Sequence, residues 1–178
     1  VLAKRLDKIG KKAQMTKDKD ALAERELIKL LTEELKNFKS ARLVPLTEEQ
    51  KKIVKEFNLL SMKPVIYVGN VSEESYQNPS EDKYFSQVME IAKAENAIAI
   101  PVSAKMESDL APLSSQERAE YLNMLGTNMS GLDKVAKASY DLLGLKTFFT
   151  VGSDEVRAWT FKDGMKAPEC AGIIHTDF

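Results

Sequence analysis

The sequence has one cysteine, one histidine, one tryptophan and almost no net charge. Each scarcity excludes something. Cys170 alone cannot form an internal disulfide and has no Cys-x-x-Cys neighbour, so the chain suits a reducing, cytoplasmic setting and is expected to bind no metal. With 26 basic and 27 acidic residues, the formal charge of -1 gives no global pull toward nucleic acid or membrane and leaves only local patches. No apolar run approaches the ~20 residues of a spanning helix. No GxxxxGK[ST] loop occurs, so the phosphate cradle of a P-loop and its Mg²⁺-binding hydroxyl are not among these residues. Internal repeats and low-complexity segments are also lacking.

What is present changes texture along the chain. Residues 1–58 are charged and helical in pattern. Leu2, Leu6, Ile9 and Ala13 recur at 4-3-4 spacing, and Ile28, Leu31, Leu35 and Phe38 at 3-4-3, each marking one apolar stripe. The polar turn Thr16–Asp20 between them is short, which predicts an antiparallel pair or short coiled coil. Pro45 interrupts, and Thr47–Gln50 ("TEEQ") fits a capping box that opens a helix running to about Phe57. The chain begins at Val1 inside this helical pattern and reads as a piece of a longer protein.

Residues 64–105 alternate differently. "PVIYV" is a β-branched apolar run, as expected for a strand covered on both faces. After a polar loop, Phe85, Val88, Met89 and Ala92 share a helical face behind the acids Glu81 and Asp82. "AIAIPV" is a second strand, ending in Ser103-Ala104-Lys105. Strand, helix, strand makes a βαβ unit, whose parallel strands bring both carboxyl ends to one edge. The elbow Asn70–Glu73 and the loop Ser103–Lys105 should therefore be neighbours.

Residues 106–144 return to helix. Ser114–Glu117 ("SSQE") reads as a capping box. Ser130 starts a helix with Leu132, Val135, Ala136, Ser139 and Leu143 on one side, and Gly144 is its C-terminal stop. From Leu145 two strands and a turn are predicted, then a helix starting at Pro168.

Asn70, Val71, Glu73 ("NVSE") and Ser103, Ala104, Lys105 ("SAK") resemble the base-recognition loops of P-loop nucleotide hydrolases of the GTPase class. There Asn-Lys-x-Asp reads guanine and a Ser-Ala-Lys loop offers backbone amides to the ring. An Asn amide donates and accepts at once against a purine edge, and a carboxylate takes two donors from guanine. A small residue such as Ala104 lets backbone approach a base, while the Lys105 stem can cover its face. Taken alone, Asn70 fits a turn at a strand end equally well, and Ser103 a helix cap.

Longer stretches extend the likeness. "AKRLDKIGKKA", "NLLSMKPVIYVGNVSEE" and "SGLDKVAKASYDLLGLKTFFTVGSDEVRAWTFKDGMKAPECAGIIHTDF" are similar to the YchF (Obg-like ATPase) family, collinearly along essentially the whole chain. The resemblance implies an α/β fold: part of a P-loop-type parallel sheet with an antiparallel coiled-coil insertion, then the start of a β-grasp TGS domain. It implies helical insertion and return helix at 1–58, the later nucleotide-hydrolase domain at 59–144, and the first part of the TGS domain at 145–178. It also implies a ribosome-associated switch that hydrolyses ATP in preference to GTP. Asn70 would bond the adenine, Val71 would line the ring, and Glu73 marks the departure from guanine readout. Mg²⁺ would be held by residues outside this chain, which carries no catalytic residue. The large ribosomal subunit or its RNA is the implied partner, and a monomer is expected. The alternative is an RNA- or protein-binding module in which hydrolysis is secondary.

Three further features have plainer readings beside the functional ones. His175 in "HTDF" fits a helix start or packing role better than catalysis, since no nucleophile motif is near. Arg157 and Trp159 alternate with Val156 and Ala158, so they share a face that either stacks on RNA or caps a sheet edge. The run "KRLDKIGKKAQMTKDK" is a solvated helix face or a contact for ribosomal RNA phosphates.

Overall fold

The computed structural model describes residues 1–16, 19–175 and 177, excepting the side chains of 11–16. The Ala13 side chain in the first stripe, the centre of the Thr16–Asp20 turn and Thr176 lie outside what is described, as does part of the lysine run. Contacts divide the chain into two units, Val1–Pro64 and Val65–Phe178.

In the first unit α1 (Leu2–Thr16) and α2 (Lys19–Lys36) pack together, followed by α3 (Glu48–Lys55). Leu2, at the start of α1, shares a groove with Thr32 and Leu35, near the end of α2. The two helices are therefore antiparallel, as so short a link requires. The stripes meet as expected, with Ile28, Leu31 and Val54 fully buried and Leu2 and Ile9 closing over them. The Arg5 guanidinium bonds Glu24 and Glu56 and lies 4.7 Å from the Phe57 ring centre, so one side chain links all three helical segments. The capping box at Thr47 and Gln50 forms in both directions.

Phe38 departs from the predicted stripe. It is 98% exposed with φ 59°. The Lys39 N–H donates to the Glu34 carbonyl at 3.0 Å, closing α2 with a left-handed residue at Phe38. The 3.6-residue period ends with the helix, and the ring swings into solvent.

The second unit runs β1 (Ile66–Asn70), α4 (Glu73–Gln77), α5 (Phe85–Ala94), β2 (Ile98–Val102), α6 (Ala104–Leu110), α7 (Ser115–Met124) and α8 (Gly131–Leu142). It ends with β3 (Leu145–Val151), β4 (Val156–Lys162) and α9 (Ala167–Ile174). β1 and β2 pair in parallel with Ile66 opposite Ile98 and Asn70 opposite Val102. β3 and β4 form an antiparallel hairpin with Leu145 opposite Lys162. This is a mixed α/β fold with one small parallel and one small antiparallel sheet.

The helices cover opposite faces of the parallel pair. A Cβ on Gly69 would strike Phe85 of α5, whereas Gly131 of α8 lies against Val102. Gly69 pairs with Pro101, so Gly69 and Val102 face opposite ways. Serines open α7 and α8 through capping boxes at Ser114 and Ser130, and Gly144 follows α8 with φ 61°.

Five further expectations need correction. The segment 73–77, read as loop, is helix α4, because Ser72 accepts the Ser75 N–H and caps it. Helix α5 starts at Phe85, with Asp82 capping from outside: its Oδ1 accepts the Tyr84 and Phe85 N–H groups at 2.9 and 2.7 Å. Met89 on its supposed buried face is 38% exposed. On α8 the stripe of Leu132 and Leu143 is exposed, because the face turned to β2 carries Lys134 and Ala138 instead. β1 is also less covered than its apolar run suggests: Val68 is about half exposed, since α8 lies mainly over β2.

Candidate functional site

The parallel register makes the elbow. Asn70 and Val102 are opposite, and the Val71 N–H donates to the Val102 carbonyl at 2.9 Å, carrying the ladder one residue further. Both chains then leave the sheet at one edge. Across it the Asn70 Oδ1 accepts the Ala104 N–H at 3.0 Å. That bond fixes the amide's orientation and leaves Nδ2 without an acceptor among the described residues. The Lys105 Nζ lies 3.2 Å from the Glu73 Oε1, and this contact holds the Lys105 ammonium above its usual range. Ser103 is buried, and its Oγ caps α6 by accepting the Met106 N–H. Val71 packs half-buried against the cluster of Tyr76, Met106, Leu110 and Leu122.

All six residues named from the sequence thus come together, in two kinds of position. Ser103 and Val71 face inward and hold the loops. Asn70, Glu73 and Lys105 present polar groups outward, while the Ala104 amide is already engaged by Asn70. A purine edge is recognised by a few oriented donors and acceptors, and such a set is what the elbow offers. A phosphate-binding loop is not part of it.

Several residues support the site through contacts that the sequence does not show. Gly69 is flush against the Phe85 ring, which is 3% exposed, so the strand can pack closely one residue before Asn70. Asp82 bonds the Ser75 hydroxyl at 2.7 Å as well as capping α5. Its carboxyl is held below the usual range, chiefly by the Phe85 N–H and then by Ser75. The Tyr76 hydroxyl donates to the Met129 carbonyl at 3.0 Å.

Glu107 does the most to brace the loop. It sits one turn after Ala104, and its Oε1 accepts the Gly131 N–H at 2.7 Å and the Leu132 N–H at 3.3 Å, so α6 is tied to the start of α8. Glu107→Ala should cost about 1–2 kcal/mol in unfolding experiments on the full-length protein, while Glu107→Gln, which keeps an oxygen acceptor, should recover most of it. Equal stability of the alanine variant and wild type would remove this brace from the account.

The remaining candidates lie apart from the elbow. The Arg157 guanidinium stacks 4.1 Å from the Trp159 ring centre on the β3–β4 hairpin, and the Trp159 Nε1 donates to Thr150 Oγ1 at 2.9 Å. Phe148 and Phe161 meet edge to face on the same side of the hairpin. His175 is exposed and follows the last turn of α9, and its Nδ1 accepts the Asp177 N–H at 3.3 Å. It follows α9, which ends at Ile174, and neither the helix-start nor the packing role is seen among the described residues. Cys170 is a free, partly exposed thiol.

Comparison with known proteins places this geometry in a wider context. The family YchF-GTPase_C, described as a protein of unknown function, matches residues 145–178. A Bacillus subtilis protein named ribosome-binding ATPase YchF is 52% identical over 175 residues, covering 98% of this chain and 48% of its own. The protein of the same name from Escherichia coli O157:H7 is 42% identical over 161 residues, covering 90% and 44%. The solved structure of the Schizosaccharomyces pombe YchF GTPase superposes with a TM-score of 0.84 at 30% identity, covering 99% of this chain and 48% of that one. The chain spans about half the length of the relatives it matches.

Proposed function

Because this chain belongs to the YchF family, we propose that it carries the base-recognition half of a nucleotide hydrolase that binds ATP in preference to GTP. The observation that carries the proposal is the bond from the Ala104 N–H to Asn70 Oδ1, which orients the amide and leaves Nδ2 free to donate to a purine nitrogen. In this reading Lys105 and Glu73 flank the base, and Val71 and Ser103 hold the loops. Adenine fits the donor at Nδ2 through its ring nitrogens. The triphosphate and Mg²⁺ have no matching loop here, and their binding groups are expected from residues outside this chain; Mg²⁺ would supply charge neutralisation at the phosphates.

In the same proposal the antiparallel pair of the first unit is the coiled-coil insertion, 59–144 the later part of the nucleotide-hydrolase domain, and 145–178 the opening of a TGS domain. The Bacillus and Escherichia relatives are named ribosome-binding ATPases, which supports a cytoplasmic protein acting on the ribosome. The large subunit or its RNA is the contact we favour, with the protein acting as a monomer. A second reading, a binding module with secondary hydrolysis, draws on the Arg157–Trp159 stack exposed on its hairpin.

The test is a parallel titration of the full-length protein with ATP and GTP in Mg²⁺ buffer. Tighter ATP binding is expected. Tighter GTP binding, or no binding of either, would contradict the proposal.

A further inference from the structure

Helix α8 begins where contacts from the elbow converge. The Tyr76 hydroxyl of α4 donates to the Met129 carbonyl at 3.0 Å, and Lys134, in the first turn of α8, lies 4.2 Å from the centre of the Tyr76 ring. Glu107 of α6 accepts the Gly131 and Leu132 N–H groups, and Arg118 of α7 donates to the Ser130 hydroxyl at 3.1 Å. One loop of the elbow leads into α4 and the other into α6, so both are tied to the same helix end.

The far end of α8 is tied as closely to the β3–β4 hairpin. Only Leu143 and Gly144 separate α8 from β3, and their N–H groups still bond back to Ser139 and Asp141 in the helix. The Gly144 carbonyl accepts the Asp163 N–H at 2.7 Å, and Lys146 pairs with Asp163 at 2.7 Å. Both ends of the hairpin therefore close on the residue that ends the helix. Between the two ends, 12 residues span about 18 Å and pack over β2. A joint without slack passes on the restraint of its helix, whereas a flexible linker would absorb it.

We propose that α8 couples the elbow to the hairpin, so that filling the elbow orders β3 and β4. The proposal rests on the nucleotide-binding reading above. A base held between the loops restrains Asn70 and the Ser103–Lys105 segment. Tyr76 and Glu107 carry that restraint to the start of α8, and Gly144 carries it to the hairpin. Such coupling works through loss of motion and needs no change of shape. The hairpin bears the Arg157–Trp159 stack and the exposed side chains of Phe149, Val151 and Val156, so its order sets the surface that a partner meets. Because the route starts at the base and not at the phosphates, ADP should act as ATP does.

The test is amide hydrogen exchange on the full-length protein, without nucleotide and with saturating ADP or ATP in Mg²⁺ buffer. Exchange in β3 and β4 should slow about fivefold or more with either nucleotide. Two glycines inserted between Gly144 and Leu145 should abolish this slowing while leaving the slowing at residues 104–132 in place. Tyr76→Phe keeps the ring and loses only the bond to Met129, so it tests the route should the insertion variant fail to fold. Its hairpin should be protected less than that of wild type at saturating nucleotide.

If nucleotide slows exchange at residues 104–132 while the wild-type hairpin is unchanged, the base site stands and the coupling falls. The coupling also falls if ATP acts and ADP does not, or if either variant keeps the full effect on the hairpin. If neither nucleotide slows exchange at residues 104–132, the base site and the coupling fall together.

Discussion

Gly69→Ala is expected to lower the stability of the full-length protein by about 1–3 kcal/mol and to loosen ATP binding with it. The added methyl carbon would lie 2.4 and 2.5 Å from Cδ2 and Cε2 of Phe85, far inside contact distance. Phe85 cannot simply turn aside, because it is 3% exposed between α5 and the strand. Either the ring leaves its rotamer or β1 moves, and the displaced backbone is one residue from Asn70. The double variant Gly69→Ala with Phe85→Leu should regain part of the loss, since the smaller side chain makes room. Chemical unfolding midpoints and ATP dissociation constants of the two variants check this. A single variant that matches wild type in both would show that the close packing of β1 on α5 does not hold the elbow.

The fold was legible where local chemistry decides. Thr47, Ser114 and Ser130 cap helices because a hydroxyl before an acid or amide three residues on satisfies orphan N–H groups, and nothing remote changes that. The parallel pairing followed from strand, helix and strand in short succession, and it brought Asn70 opposite Val102. Burial was less legible, because it depends on what lies across from a residue. Phe38 continues a stripe in sequence but falls after the helix has ended. Leu132 and Leu143 share one side of α8, yet the sheet meets the side of Ala138. Helix α4 is only five residues long, too short for a periodic signal, and Ser72 was its sole marker.

The site divides in the same way. Asn70 and the Ser103–Lys105 loop could be placed together from topology. That the Asn70 oxygen would engage the Ala104 amide, and that Lys105 would pair with Glu73 across the loops, are contacts between segments more than thirty residues apart in sequence. Glu107 is hidden for the same reason: its partners at Gly131 and Leu132 belong to another helix. Only folding supplies such pairings.

The central claim is that Asn70 reads the base, and one comparison tests it most directly: ATP dissociation constants for full-length wild type, Asn70→Ala and Asn70→Asp. Alanine removes both the oxygen that holds Ala104 and the amine that faces outward. Aspartate keeps an oxygen for the Ala104 N–H and replaces the amine donor with a charged acceptor. If the donor bonds adenine, both variants should weaken ATP binding by about 1–3 kcal/mol, roughly 5- to 150-fold. Aspartate should do so even with the loop intact. Should Asn70→Asp bind ATP as wild type does while Asn70→Ala fails, the residue is only a brace for the loop. Should both bind ATP unchanged, the elbow is a structural turn and base recognition lies elsewhere.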